Sequence, residues 1–138
     1  MAKAKKALAK SSFVEKNLQT ALEKLAVATA AVDKAVGVRA KDAKKNTVAV
    51  KRLAKRKATL SKRKKLAAGR VKKASSVETR QALRAVTKDL AATTKELAKA
   101  RIGKSVNAEE LARLKVSQRR TKGYNRGISA VDRGIPKK

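Results

Sequence analysis

Residues 11–36 read SSFVEKNLQTALEKLAVATAAVDKAV, and Leu18, Leu22, Leu25, Thr29, Val32 and Val36 recur in steps of four, three, four, three and four. That alternation is the a/d seam of a helix that packs along another helix. Ala21, Ala28 and Ala35 widen the stripe. Ser12 and Glu15 have the spacing of a capping box, in which the hydroxyl accepts the Glu15 amide and the carboxylate returns the bond. A second seam follows Ser75-Ser76-Val77-Glu78: Leu83, Val86, Leu90, Thr93, Leu97 and Ala100. The two capped segments share a Ser-Ser start, an Ala-Leu pair and a Leu-Ala-x-x-Thr run, which fits either an old duplication or two solutions to one packing problem.

The totals point the same way. The chain has 138 residues, one Phe, one Tyr, no Trp and a single Pro. Its hydrophobic fraction of 42% is largely alanine, which buries little surface. A thick globular core is therefore not expected, and long helices are. The predicted fold is all-α: an elongated helical hairpin, or a coiled-coil-like bundle of two to four helices, with flexible basic termini.

Going outward from the seams, residues 1–11 read as a basic N-terminal arm, and 12–103 as the long-helix hairpin or bundle. Gly37 marks a weak point; a continuous or slightly kinked helix is expected there, with a turn in 37–47 as the alternative. Gly69 sits where a C-cap glycine would end the first helix, leaving a short basic connection over 70–75. The second helix is expected to end near Ile102-Gly103. Asn107, followed by Glu109 and Glu110, has the look of an N-cap with acids in the first turn, so a short helix is predicted over 107–122. Leu111, Leu114 and Gln118 mark its face. Three glycines and Pro136 in 123–138 predict a flexible basic tail.

Several function classes are excluded or weakened. Without Cys or His there are no disulfides, no usual zinc site and no imidazole acid–base chemistry. The isolated glycines build no phosphate-cradling loop. Glu109 and Glu110 are adjacent, so they diverge on a helix and serve the dipole rather than a catalytic pair. An enzyme is not expected, and neither is a cofactor or a metal site. No apolar run is long enough to span a bilayer, so membrane insertion is not expected.

Charge is the dominant signal. Lys plus Arg number 39 against 10 acids, a net +29. Twelve of the bases fall within 51–73, KRLAKRKATLSKRKKLAAGRVKK: Lys51, Arg52, Lys55, Arg56, Lys57, Lys62, Arg63, Lys64, Lys65, Arg70, Lys72 and Lys73, with no acid among them. A solvated helix face usually mixes signs. This one calls for a polyanion, and nucleic acid is the commonest. Arg119, Arg120 and Lys122 extend the candidate surface, and Tyr124 offers a ring on which an unpaired base can stack. No Asn or Gln lies among the bases of 51–73, so phosphate contact indifferent to sequence is expected rather than base readout.

The arm MAKAKKALAK, the run KRLAKRKATLSKRKK and the scarcity of aromatics resemble bacterial histone-H1-like, Lys/Ala-rich nucleoid-associated proteins. The likeness covers about the first half of the chain and is one of composition; the Pro-Ala-Lys repeats of that group are missing. It implies non-specific DNA compaction in a nucleoid.

The sequence reading is thus a DNA-binding, compacting protein, located in a cytoplasmic nucleoid or inside a virus particle. A ribosome- or RNA-associated helical protein is the first alternative. A coiled-coil scaffold for an acidic protein partner is the second. The seams also leave room for a homo-oligomer.

Overall fold

The computed structural model describes residues 10–136. Two helices account for nearly all of them: α1, Ser11–Lys73, and α2, Val77–Gly134. They pack against each other as an antiparallel hairpin, and no strand occurs among the described residues. Ala74, Ser75 and Ser76 make the connection. The basic arm expected over 1–11 lies almost wholly outside the described residues. The chain divides into two compact units: Met1–Gly37 with Arg113–Lys138, and Val38–Ala112.

The helices are longer than their end signals suggest, and each correction has a local cause. The α1 helix begins one residue before Ser12, so Ser12 lies in its first turn and cannot cap it. The Lys10 carbonyl accepts the amides of Phe13 (2.9 Å) and Val14 (3.1 Å) instead. At the start of α2 the capping box is real but shifted by one. Ser76 Oγ accepts the Thr79 amide at 3.1 Å, and Thr79 Oγ1 accepts the Ser76 amide at 2.9 Å. Threonine at the third helical position thus replaces the expected Glu78.

Gly37 does not interrupt α1. Gly69 does not end it, and Gly103 does not end α2. A glycine stops a helix by turning into the left-handed region, and no described glycine has a positive φ. The separate helix expected over 107–122 and the irregular tail from 123 are both parts of α2, which runs on to Gly134. Asn107 is not an N-cap, because its side chain is turned toward α1.

In the unit Val38–Ala112, both seams continue in sevens. Leu60, Ala67 and Leu97 are the buried apolar residues, and Thr93 and Asn107 are buried with them. Val50 and Leu53 on α1, with Leu83, Val86, Leu90 and Leu111 on α2, are half-buried. Asn107 Nδ2 donates to the Arg39 carbonyl at 3.0 Å, while an Arg39 guanidinium nitrogen donates to Asn107 Oδ1 at 3.1 Å. This two-way link inside the seam fixes which residues lie opposite, as a polar residue does in coiled coils.

In the other unit the seam is polar to a greater degree. Leu22, Leu25, Val32 and Val36 face Leu114, Thr121 and Ile128, all buried or half-buried. Gln118 Nε2 donates to Asp33 Oδ1 at 2.9 Å. Asn125 Nδ2 donates to Thr29 Oγ1 at 3.0 Å and to the Thr121 carbonyl at 2.8 Å. Among the described residues no buried side-chain polar atom lacks a partner. Threonines inside the helices satisfy their hydroxyls on the preceding turn, as Thr29 does on the Leu25 carbonyl at 2.8 Å.

A stability prediction follows from the glycines. A Cβ built at Gly103 meets nothing within 4 Å. Gly103→Ala is expected to raise stability by about 0.5–1 kcal/mol through helix propensity alone, seen as a rise of a few degrees in Tm. A fall in Tm would mean that α2 needs flexibility at that point.

Candidate nucleic-acid interface

A seven-residue repeat sorts the bases of α1 by face. Seam positions include 43, 50, 57, 64 and 71, together with 46, 53, 60 and 67. Lys55 and Lys62 then point directly away from α2. Arg56, Arg63 and Arg70 form one line along a flank, and Lys51, Lys65 and Lys72 form another. Arg52 and Lys73 lie beside the latter. Members seven residues apart are about 10 Å apart along the helix axis; Lys51 and Lys65, with Ala58 between them, are about 21 Å apart. Eleven of the twelve expected residues are exposed.

The exception is Lys57. It occupies a seam position and is half-buried. A lysine at such a position can pack its methylene stem while its ammonium group reaches water. Lys64 also takes a seam position but stays exposed.

The surface of exposed bases extends further back along α1 than the dense run at 51–73 suggests. Lys41, Lys44 and Lys45 are exposed, and sevenfold steps connect Lys44 to Lys51 and Lys45 to Arg52. Lys44, Lys45, Val48, Ala49 and Arg52 line a shallow depression of about 330 Å3. Asp42 and Asn46 interrupt this stretch and hide it from a reading by charge density. The seven-residue spacing was the signal that could have found it.

The α2 side of the same unit is more mixed. Arg80, Arg84, Lys88, Lys95 and Lys99 are exposed, but so are Glu78, Asp89 and Glu96. Arg39 is not part of the basic surface, since it is half-buried and held by Asn107.

Arg119, Arg120, Lys122 and Tyr124 belong to the other unit, on the continuous α2 helix. All four are exposed, Tyr124 to 58%. The tyrosine therefore stands on a regular helix and not in an irregular tail. Its neighbours are apolar: it lines a groove with Leu18, Leu22 and Ile128.

Among the described residues no group of three or more acids can hold a metal ion, and no helix is long and apolar enough to cross a membrane. The surface offers fixed rows of cations and little else. Such a surface can neutralise phosphates and displace their counterions, but it presents few groups able to distinguish base edges. Comparison with protein families, with curated proteins and with solved structures finds no match, so the interface is read from its own residues alone.

Proposed function

We propose that this is a non-catalytic nucleic-acid-binding protein that holds duplex DNA through phosphate contacts and compacts it with little regard for sequence. One observation carries the reading. The seam is satisfied by the second helix, while eleven of the twelve bases of 51–73 are exposed and all but Lys57 and Lys64 lie outside it, with no acid on their own stretch of helix. Their own stretch of helix supplies no acid to offset their repulsion, and a polyanion does. The regular spacing of the lines suits the regular phosphate array of a duplex. A nucleoid and a packed virion are the two settings in which such a protein acts.

The test is binding of nuclease-treated protein to two labelled duplexes of unrelated sequence across a salt series. Log affinity is expected to fall linearly with log salt, with a slope of about −5 to −9 for six to ten neutralised phosphates, and to be nearly equal for the two sequences. A salt-insensitive affinity would sink the proposal. Stronger binding to structured RNA than to either duplex would replace it with the ribosome- or RNA-associated alternative.

A further inference from the structure

The mixed charge of α2 in the unit Val38–Ala112 resolves by face. On α1 the row 47, 54, 61 and 68 directly follows the seam positions 46, 53, 60 and 67. On α2 the row 80, 87, 94 and 101 stands in the same relation to Thr79, Val86, Thr93 and Ala100. An antiparallel helix pair has a local two-fold axis normal to its plane, so equivalent rows of the two helices share one broad face. No acid lies on this face. Asp42, Asp89, Glu96 and Glu110 fall on the opposite one, with Arg56, Arg63 and Arg70, while Glu78 and Glu109 occupy outer positions of α2.

The acid-free face is basic along both sides. Lys51, Lys65 and Lys72 border it on α1, and Arg80, Arg84 and Arg101 on α2; all six are exposed. Arg80 is held near the turn, where its Nε donates to the Ser76 carbonyl at 3.3 Å. Between the two sides the floor is built of small side chains: Thr47, Ala54, Ser61 and Ala68 on α1, all half-buried, with Thr87 and Thr94 on α2. Thr87 and Thr94 turn their hydroxyls back to the Leu83 and Leu90 carbonyls, at 2.7 and 2.8 Å. Long lysines and arginines thus stand above a low floor. With each helix about 10 Å across, the face is about 20 Å wide, and a rod-like polyanion can lie on it with phosphates toward both sides.

We propose that this face is a second phosphate-binding surface, which takes a second duplex segment while the outer bases of α1 hold the first, so that a single chain joins two duplexes. The inference rests on the nucleic-acid reading and brings α2 into it. Charge sorting is what carries it. A helix that only covered the seam of α1 has no reason to keep its acids off one face. With Asp89 and Glu96 on the far side, the fields of the six bases add over the near face instead of cancelling. All three bases on the α2 side are arginines, whose planar forks match phosphate oxygens in pairs. The two surfaces also look in different directions. Lys55 and Lys62 point away from α2, within the plane of the hairpin, whereas the second face looks out along the normal to that plane. A duplex on one therefore leaves the other open.

The test is a sandwich capture: an immobilised duplex, the nuclease-treated full chain, and a second, labelled duplex in excess over protein. The wild-type chain is expected to retain the labelled duplex while sedimenting as a single chain of 14.8 kDa. The triple variant Arg80→Gln, Arg84→Gln, Arg101→Gln is expected to keep its helix content by circular dichroism and its affinity for one short duplex within about threefold, while capture of the second falls by about tenfold or more. The charge-matched control Lys88→Gln, Lys95→Gln, Lys99→Gln, on the outer side of α2, is expected to capture within about twofold of wild type. Binding of the first duplex without capture of the second overturns this inference alone, whereas no binding to the first overturns the nucleic-acid reading with it. Capture that needs a dimer, that survives the arginine variant, or that falls equally in the lysine control also overturns it. So does capture of a structured RNA but not of a second duplex.

Discussion

Exchanging Arg52, Lys55, Lys62 and Arg63 together for glutamine is expected to lower affinity for duplex DNA on the order of 10^2–10^3-fold near 0.1 M salt, and to make the salt slope shallower by about four. All four are exposed and none takes a seam position of α1. Each phosphate contact contributes about 0.9 to the slope, and the lost affinity is the corresponding release of counterions. Glutamine is a good helix former, so α1 is expected to persist. Relief of like-charge repulsion should leave stability level or slightly higher. The control is Lys88→Gln with Lys95→Gln. Those lysines sit beside Asp89 and Glu96, where the local field is mixed, and their loss is expected to lower affinity less than about tenfold. Equal losses from both sets would mean that net charge alone governs binding and that the lines on α1 have no special standing.

The largest effect on stability is expected at Leu97. It is only 2% exposed and lies in the seam of the unit Val38–Ala112. Leu97→Ala is expected to cost about 3 kcal/mol and to lower Tm by roughly 10 °C, since a buried leucine removed from a core leaves both lost transfer energy and a cavity. The two-helix core holds few buried apolar residues, Leu60 and Ala67 being the others, so little can compensate. Leu66, immediately before Ala67, is 64% exposed. Leu66→Ala is expected to stay within about 0.5 kcal/mol of the parent. Thermal melts of the pair measure the burial of the seam directly, and similar losses at both positions would contradict the register described above.

Much of that register was legible beforehand. Leu18 to Val36 and Leu83 to Ala100 were recognisable as seams because their spacing depends only on helix geometry. The ends were misread because end signals are local and weak. Ile102-Gly103 followed by Asn107 and two glutamates satisfies both a stop and a start. The seam, however, keeps its phase across that point: Ala100, Asn107, Leu111, Leu114 and Gln118 fall in steps of seven, four, three and four. A true break resets the phase. The partner of Asn107 was not legible, because pairing with Arg39 depends on which residues the turn at 74–76 brings opposite each other. The basic surface was legible as charge density at 51–73. Its extension through Lys41, Lys44 and Lys45 escapes a reading by charge density, because Asp42 and Asn46 dilute the run, and needs the seven-residue spacing to be seen.

The three-residue connection at 74–76 has a kinetic consequence. The Ser76–Thr79 box closes over three residues, whereas the links Arg39–Asn107, Asp33–Gln118 and Thr29–Asn125 span 68, 85 and 96 residues of chain. Closing any of the distant links from an open chain confines a long loop. Starting at the turn, each new pair instead confines only the few residues added since the last. Folding is therefore expected to proceed as a zipper from the turn outward along both helices, and unfolding to begin at the other end. Amide exchange should record that order, slowest around Leu60 and Leu97 and fastest near Leu18 and Val131.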